Sequence, residues 1–221
     1  IFDLDPGRFL RSFVGEDDVE FSFVPPAPRG PDPLRVLFFG TYVPLHGIET
    51  VIDAACELRQ ERDIQFCLIG NGQMYPRMRE RARTLEVEAE FIDHWVAPTE
   101  LVRHIQEAHV CLGVFGTTAK AARVIPYKVF DAAAVGRAII TCDSPAAREM
   151  LTDGESALLC PAGDGPALAS AVRRLRDDDG LRLSLAQTAH AVYRSHGCPE
   201  AVGRDLARAL QERSESGKVA E

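Results

Sequence analysis

Lysine is scarce in this chain. Among its 25 Lys plus Arg residues only Lys120, Lys128 and Lys218 are lysines. Cations as a whole are in deficit: the formal net charge is -8, which argues against a general nucleic-acid binder, since such proteins carry a basic footprint. Any anion must then be held by a local patch. No apolar run approaches the roughly 20 residues needed to span a bilayer, and no signal peptide opens the chain. The six cysteines (Cys56, Cys67, Cys111, Cys142, Cys160, Cys198) include no CxxC spacing. Several sit in apolar runs where a thiol packs as a small hydrophobe, so reduced thiols are expected rather than a disulfide framework. An initiator Met is also lacking, and "IFDLDPGRF" reads as the interior of a longer polypeptide.

What is present is a rhythm. The runs "LRVLFFG" (34–40), "IQFCLIG" (64–70), "EAEFID" (88–93), "VCLGVFG" (110–116), "RAIITC" (137–142) and "SALLC" (156–160) alternate with helical patterns. Runs apolar on both faces, bounded by Gly, Asp and Pro, mark strands covered on both sides by helices. The predicted fold is therefore α/β, a doubly wound, Rossmann-like parallel sheet of about six strands. Residues 1–33 read as an irregular segment ending in a Pro-rich linker, "VPPAPRGPDP". Residues 34–212 read as the Rossmann-like domain itself, with closing helices near 165–178, 181–194 and 200–212. Residues 213–221 read as a frayed polar tail.

Ligands of open α/β sheets bind beyond the carboxyl ends of the strands, so the loops there carry the candidate site. In "GTYVPLHG", Gly40 closes a strand and Gly47 opens a helix whose free N–H groups can hold an anion, with His46 the one titratable group. In "GNGQM", Gly70 and Gly72 leave room for a ligand against the backbone. From Gly116 to Arg137 there are four cations (Lys120, Arg123, Lys128, Arg137) and one acid, Asp131. In "RVIPYKVFDAAAVG" Pro126 suits a first helical turn and Gly136 a C-cap. Lys128 then falls in the first turn, where the macrodipole disfavours a cation. One reading is a surface ion pair of Lys128 with Asp131, three residues on. The other has the helix N-terminus, Lys128 and Lys120 or Arg123 holding a pyrophosphate, while Asp131 binds ribose hydroxyls. A local rule broken in this way more often marks a functional site.

Taken in succession, "LFFGTYVPLHGIETVIDAA", "FCLIGNGQMYPRM", "AHVCLGVFG" and the long stretch beginning "RVIPYKVFDAAAVGRAIITC" resemble the C-terminal, donor-binding domain of retaining GT-B glycosyltransferases of the family 4 group. The similarity spans roughly residues 34–190. That family commonly carries two acids eight residues apart; aligning the second with Asp131 puts Arg123 where the first would stand. Its first-loop basic residues fall on Thr41 and His46. The match is closer to a subgroup with an "RVIP.K" segment, in which Lys128 supplies the cation missing from the first loop.

The resemblance implies donor phosphate and sugar contacts on the backbone of Val124, Ile125, Pro126 and Tyr127. It also implies a ribose contact at Asp131 and base contacts around His94, Trp95 and Val96, although Trp95 reads equally well as a buried core residue. It further implies retaining, hexosyltransferase-like transfer from a UDP- or GDP-linked sugar to a glycan, lipid or small-molecule acceptor, as in cell-envelope polysaccharide biosynthesis. No metal or other cofactor is called for, since fixed cations and helix dipoles stabilise the leaving diphosphate. Catalytic acceptor-side groups would lie in an N-terminal domain that this chain does not contain, so the chain alone is expected to be inactive. A cytoplasmic location, peripheral at the membrane through that domain, follows from the same reading. The competing class is a non-catalytic nucleotide-binding module completed by a separate partner chain.

Overall fold

The computed structural model describes residues 12–218. Six strands form one all-parallel sheet: β1 (Leu34–Phe39), β2 (Ile64–Ile69), β3 (Glu90–Ile92), β4 (Val110–Leu112), β5 (Ala138–Cys142) and β6 (Leu158–Cys160). Every residue of β4 and β5 is buried, and in β1 only Arg35 is exposed. Such strands need cover on both faces. Helices α1 (Ile48–Glu57), α2 (Tyr75–Thr84) and α5 (Gly165–Asp177) close a core on one face, with Ile48, Ile52, Met78, Leu168 and Val172 at its centre. Helices α3 (Pro98–Glu107), α4 (Tyr127–Val135) and α6 (Asp179–His196) close the other, around Ile105, Phe130, Ile139 and Tyr193. Helix α7 (Pro199–Lys218) packs on α6. All six cysteines are free thiols, four of them buried. No helix among the described residues is long and apolar enough to cross a membrane.

The strand order is β3-β2-β1-β4-β5-β6. The chain moves one way from β1 to β3, then returns to β4 and moves the other way, so α1 and α4, which follow β1 and β4, lie on opposite faces of the sheet. β1 pairs with β2 over its whole length but with β4 only at Val36↔Val110 and Leu37↔Cys111. Past Leu112 the chain forks from β1. Gly113 donates to Ile140 O (2.8 Å), Cys142 donates to Val114 O (2.9 Å), and Phe115 turns to donate to His46 O (3.1 Å). The two loops therefore meet over the end of the sheet.

Two expectations change at the chain's ends. Residues 12–33 contain no helix or strand, as the prolines suggest, but they are packed across α4 and α6 rather than hanging free. Val24 donates to Val135 O (3.2 Å), Tyr193 Oη donates to Glu16 O (2.8 Å), and the Phe23 ring stacks on His190 at 4.0 Å. Residues 1–11 lie outside the described residues. At the other end α7 continues to Lys218, so residues 213–218 of the supposed tail are helical; residues 219–221 again lie outside the described residues.

Candidate functional site

The β1–α1 loop is a tight path. Pro44–His46 form a single 3-10 turn, and Gly47, in the left-handed region at φ 62°, ends it and begins α1. A Cβ on Gly47 would lie 2.4 Å from Gly116 N, and one on Gly116 would lie 2.4 Å from Leu45 O, so the loops after β1 and β4 touch backbone to backbone. Thr41 is exposed, and its carbonyl accepts from the ring of His46 at Nδ1 (2.5 Å). The carbonyl cannot donate, so the proton sits on Nδ1. Burial, and then the positive charge of Lys128, push the His46 pKa down to about 4. His46 is therefore neutral at pH 7 and is not the loop's cation.

Gly70 and Gly72 serve the protein's own packing. Their φ values, 136° and 152°, favour glycine. A Cβ on Gly70 would sit 2.0 Å from Gly40 O, and one on Gly72 2.8 Å from Tyr42 O. The room expected for a ligand is filled by the first loop. Gly40 differs. At φ 133° its missing Cβ faces a side chain from α4, the Nζ of Lys128, at 2.9 Å.

Helix α4 runs from Tyr127 to Val135, between the proline and the glycine that mark its ends in the sequence. Pro126 is the extended N-cap (φ -74°, ψ 151°), no side chain caps the N-terminus, and Gly136 closes the helix at φ 80°. The N-terminus of α1 is likewise without a side-chain cap. Lys128 is buried, 6% exposed, over the Phe38 ring at 4.0 Å, and its Nζ has no hydrogen-bond partner. Burial lowers its pKa to about 7, with the Asp131 charge acting in the opposite direction. The surface ion-pair reading is thus overturned: Lys128 and Asp131 are both buried and make no ion pair of contact length among the described residues. Asp131 is also 6% exposed, with Oδ1 unpartnered. Burial, and then the Glu16 side chain, hold its carboxyl far above the usual carboxylate range. What results is a dehydrated ammonium at a positive helix end, an environment that an anion would complete.

The remaining predicted residues lie around this centre. Val124, Ile125 and Pro126 are half-buried in extended backbone leading into α4, and Tyr127 is 60% exposed. Lys120 and Arg123 are exposed at a 3-10 turn, Arg123 bonding back to Ala119 O (2.9 Å); no described contact joins either to Lys128. His94 is exposed, Val96 is half-buried, and Trp95 is 79% exposed, which rules out the buried-core reading of this residue. Three residues escaped the sequence reading: Phe38, Tyr42 and Glu16. Tyr42 is wholly buried with its hydroxyl unpartnered, and burial raises its pKa. Phe38 had a usable signal, two positions before Gly40 on the same strand. Glu16 had none, being more than a hundred residues from Asp131. Among the described residues no group of His, Cys, Asp and Glu is placed to hold a metal. A cavity of 1270 Å³ lies at the other end of the sheet, where short β3 leaves the start of β2 paired on its β1 side alone. Its Arg35–Glu107, Arg62–Glu88 and Arg83–Glu80 pairs satisfy one another away from these loops.

Fold and site together define a doubly wound domain with a buried, unpartnered lysine beside the loop that follows β1. The family described as "Glycosyl transferases group 1" matches residues 33–178, and the chain belongs to it. It is 27% identical over 188 residues to alpha-D-kanosaminyltransferase of Streptomyces kanamyceticus, covering 80% of this chain and 45% of that protein. The chain spans under half the length of the curated relatives it matches. Among solved structures it is similar to the C-terminal domain of a glycosyl transferase group 1 family protein from Francisella tularensis, with TM-score 0.70, 17% identity, and 82% of this chain and 97% of that one covered. It is also similar to Anabaena HepE in complex with UDP, with TM-score 0.71, 15% identity, and 82% and 49% covered. The fold is that of the C-terminal half of a GT-B glycosyltransferase.

Proposed function

We propose that this chain holds the diphosphate of a nucleotide-sugar donor, UDP- or GDP-linked, for retaining glycosyl transfer to an acceptor bound by another domain or chain. The observation that carries this reading is the Lys128 ammonium, buried and unpartnered beside Gly40 at the uncapped start of α4. Its three donors and the helix N–H groups suit a diphosphate, whose negative charge offsets the cost of keeping the ammonium dehydrated. The same groups favour the extra charge that develops on the diphosphate as the sugar leaves, fixed in place before the reaction. No metal is required by this arrangement. The unpartnered Asp131 Oδ1, one helical turn further on, is the group for a ribose hydroxyl. Family membership and the UDP complex of HepE support the donor class.

Calorimetry with UDP, GDP and ADP, with and without EDTA, tests donor binding; a transfer assay tests the need for a second domain. The expected result is weak, chelator-resistant nucleoside diphosphate binding without sugar transfer. Binding that requires added magnesium or manganese contradicts the cation role of Lys128. Robust transfer by this chain alone contradicts the division of labour. Asp131→Asn should weaken UDP but leave inorganic pyrophosphate unchanged; equal loss of both removes the ribose contact from the proposal.

A further inference from the structure

The amino ends of the strands hold a second concentration of positive charge, distinct from the Lys128 crevice. Arg137, just before β5, is 5% exposed, and Arg182, in the first turn of α6, is 1% exposed. They flank a cavity of 180 Å³ that is also lined by His109 and by the extended residues Val24 and Ala27. Arg182 is paired: its Nε and Nη2 donate to Asp179 Oδ1 (2.9 and 2.6 Å), and Nη2 also donates to Ala27 O (2.8 Å). Arg137 is not. Its Nη2 donates to Val24 O (2.9 Å), its Nε has no partner, and no acid pairs with it among the described residues.

A guanidinium stays charged even when burial lowers its pKa, as it does here. Of the two buried cations only Arg182 has a carboxylate partner among the described residues, and an uncompensated buried charge is costly to keep. Fastening the proline segment through the carbonyls of Val24 and Ala27 uses one nitrogen of each arginine and leaves the Arg137 Nε unexplained. His109 adds a donor. Arg35 N–H donates to its Nδ1 (2.9 Å), so the neutral ring carries its proton on Nε2. The one further acid on the rim, Glu107, is exposed and already taken by Arg35 (3.3 Å) and Arg103 (3.1 Å).

We propose that Arg137, Arg182 and His109 form a binding site for a phosphate-sized oxoanion, separate from the donor crevice. The volume is sufficient: a water takes roughly 30 Å³ of liquid, so the space admits a polyatomic anion together with water. Planar guanidinium donors match the oxygen edges of such an ion.

The test is thermal unfolding and calorimetry of the whole chain with inorganic phosphate, against chloride at equal ionic strength, for the native protein, Arg137→Met and Lys128→Met. Phosphate should stabilise the native protein and, through this second site, Lys128→Met as well, while Arg137→Met should lose about tenfold or more in phosphate affinity at this site. Glycerol phosphate in parallel distinguishes a site for the free ion from one that admits an attached phosphate group. Should Arg137→Met fail to fold, the arginine Nε–H signals of the native protein, titrated with phosphate, decide the matter, with the Arg137 signal expected to move. No phosphate effect beyond chloride, an unchanged effect in Arg137→Met, loss of the effect in Lys128→Met, or an unmoved Arg137 signal overturns the proposal. The Lys128→Met arm keeps this outcome independent of the donor reading.

Discussion

The Nζ of Lys128 lies 4.0 Å from the centre of the Phe38 ring and makes no hydrogen bond. A ring face offsets part of the hydration that a buried ammonium gives up, but it leaves the N–H groups unsatisfied. The lysine is thus built in at a cost to stability, which the diphosphate of the proposed donor would relieve.

Lys128→Met should therefore separate stability from binding. Removing a charge-assisted contact worth about 1.5–3 kcal/mol lowers UDP affinity about ten- to a hundredfold. The unfolding temperature should hold or rise, because a dehydrated cation at the wrong helix end is gone. Calorimetry and thermal unfolding on one preparation check both; full affinity in a folded variant returns Lys128 to a structural role.

Proton uptake should accompany binding. The free lysine titrates near pH 7, below its ordinary 10.5, because burial disfavours the charged form. A bound diphosphate favours that form and raises the pKa, so above pH 7 each binding event draws a proton from solution. Affinity should fall as pH rises above 7, by at most about tenfold per unit. In the absence of ligand the sign on folding is different. A depressed lysine contributes stability present above its unfolded value of 10.5 and lost as pH falls through about 7. Calorimetry at pH 8 in buffers of different ionisation enthalpy measures the uptake, and Lys128→Met should abolish it.

Gly40→Ala should act on the same ammonium through sterics. The new methyl would stand 2.9 Å from Nζ at a φ of 133°. Backbone strain of this kind costs about 1–3 kcal/mol, and the lysine end must shift from Phe38. Lower thermal stability with weaker UDP binding is expected; loss of stability alone would show that the ammonium can move without consequence.

Trp95→Ala should leave the fold unchanged, since the ring is 79% exposed. If it stacks on the donor's base, the substitution removes about 1–3 kcal/mol from nucleoside diphosphate binding and nothing from pyrophosphate binding. Equal effects on both ligands, or none, would leave the base to other groups.

The six strands were legible because a run buried on both faces has few polar positions, and the glycines and aspartates that end those runs are visible as letters. The bounds of α4 were legible from Pro126 and Gly136. The depth of Lys128 was not, because burial of a side chain depends on what lies above it, here Phe38 and Gly40 from a strand some ninety positions earlier. The packing of residues 12–33 was hidden because its partners are main-chain carbonyls, taken by Arg137, Arg182 and Tyr193. Any sequence offers such acceptors, so nothing in the letters marks them. Gly70 and Gly72 misled for a related reason: a missing Cβ signals close approach but does not say whether the visitor is a ligand or the chain itself.

The missing side-chain space of Gly47 is filled by the backbone of Phe115 and Gly116, and that of Gly116 by the carbonyls of Pro44 and Leu45. Viewed as a lineage would meet it, the pair is a single inherited character: neither position can take up a side chain while the other loop keeps its course, and lengthening one loop at this crossing would push the other off the sheet. Room for change at these loops therefore lies outward, at Thr41, Lys120, Arg123 and Tyr127, whose side chains are exposed. On the proposed function, that rim is where a change of donor would be written.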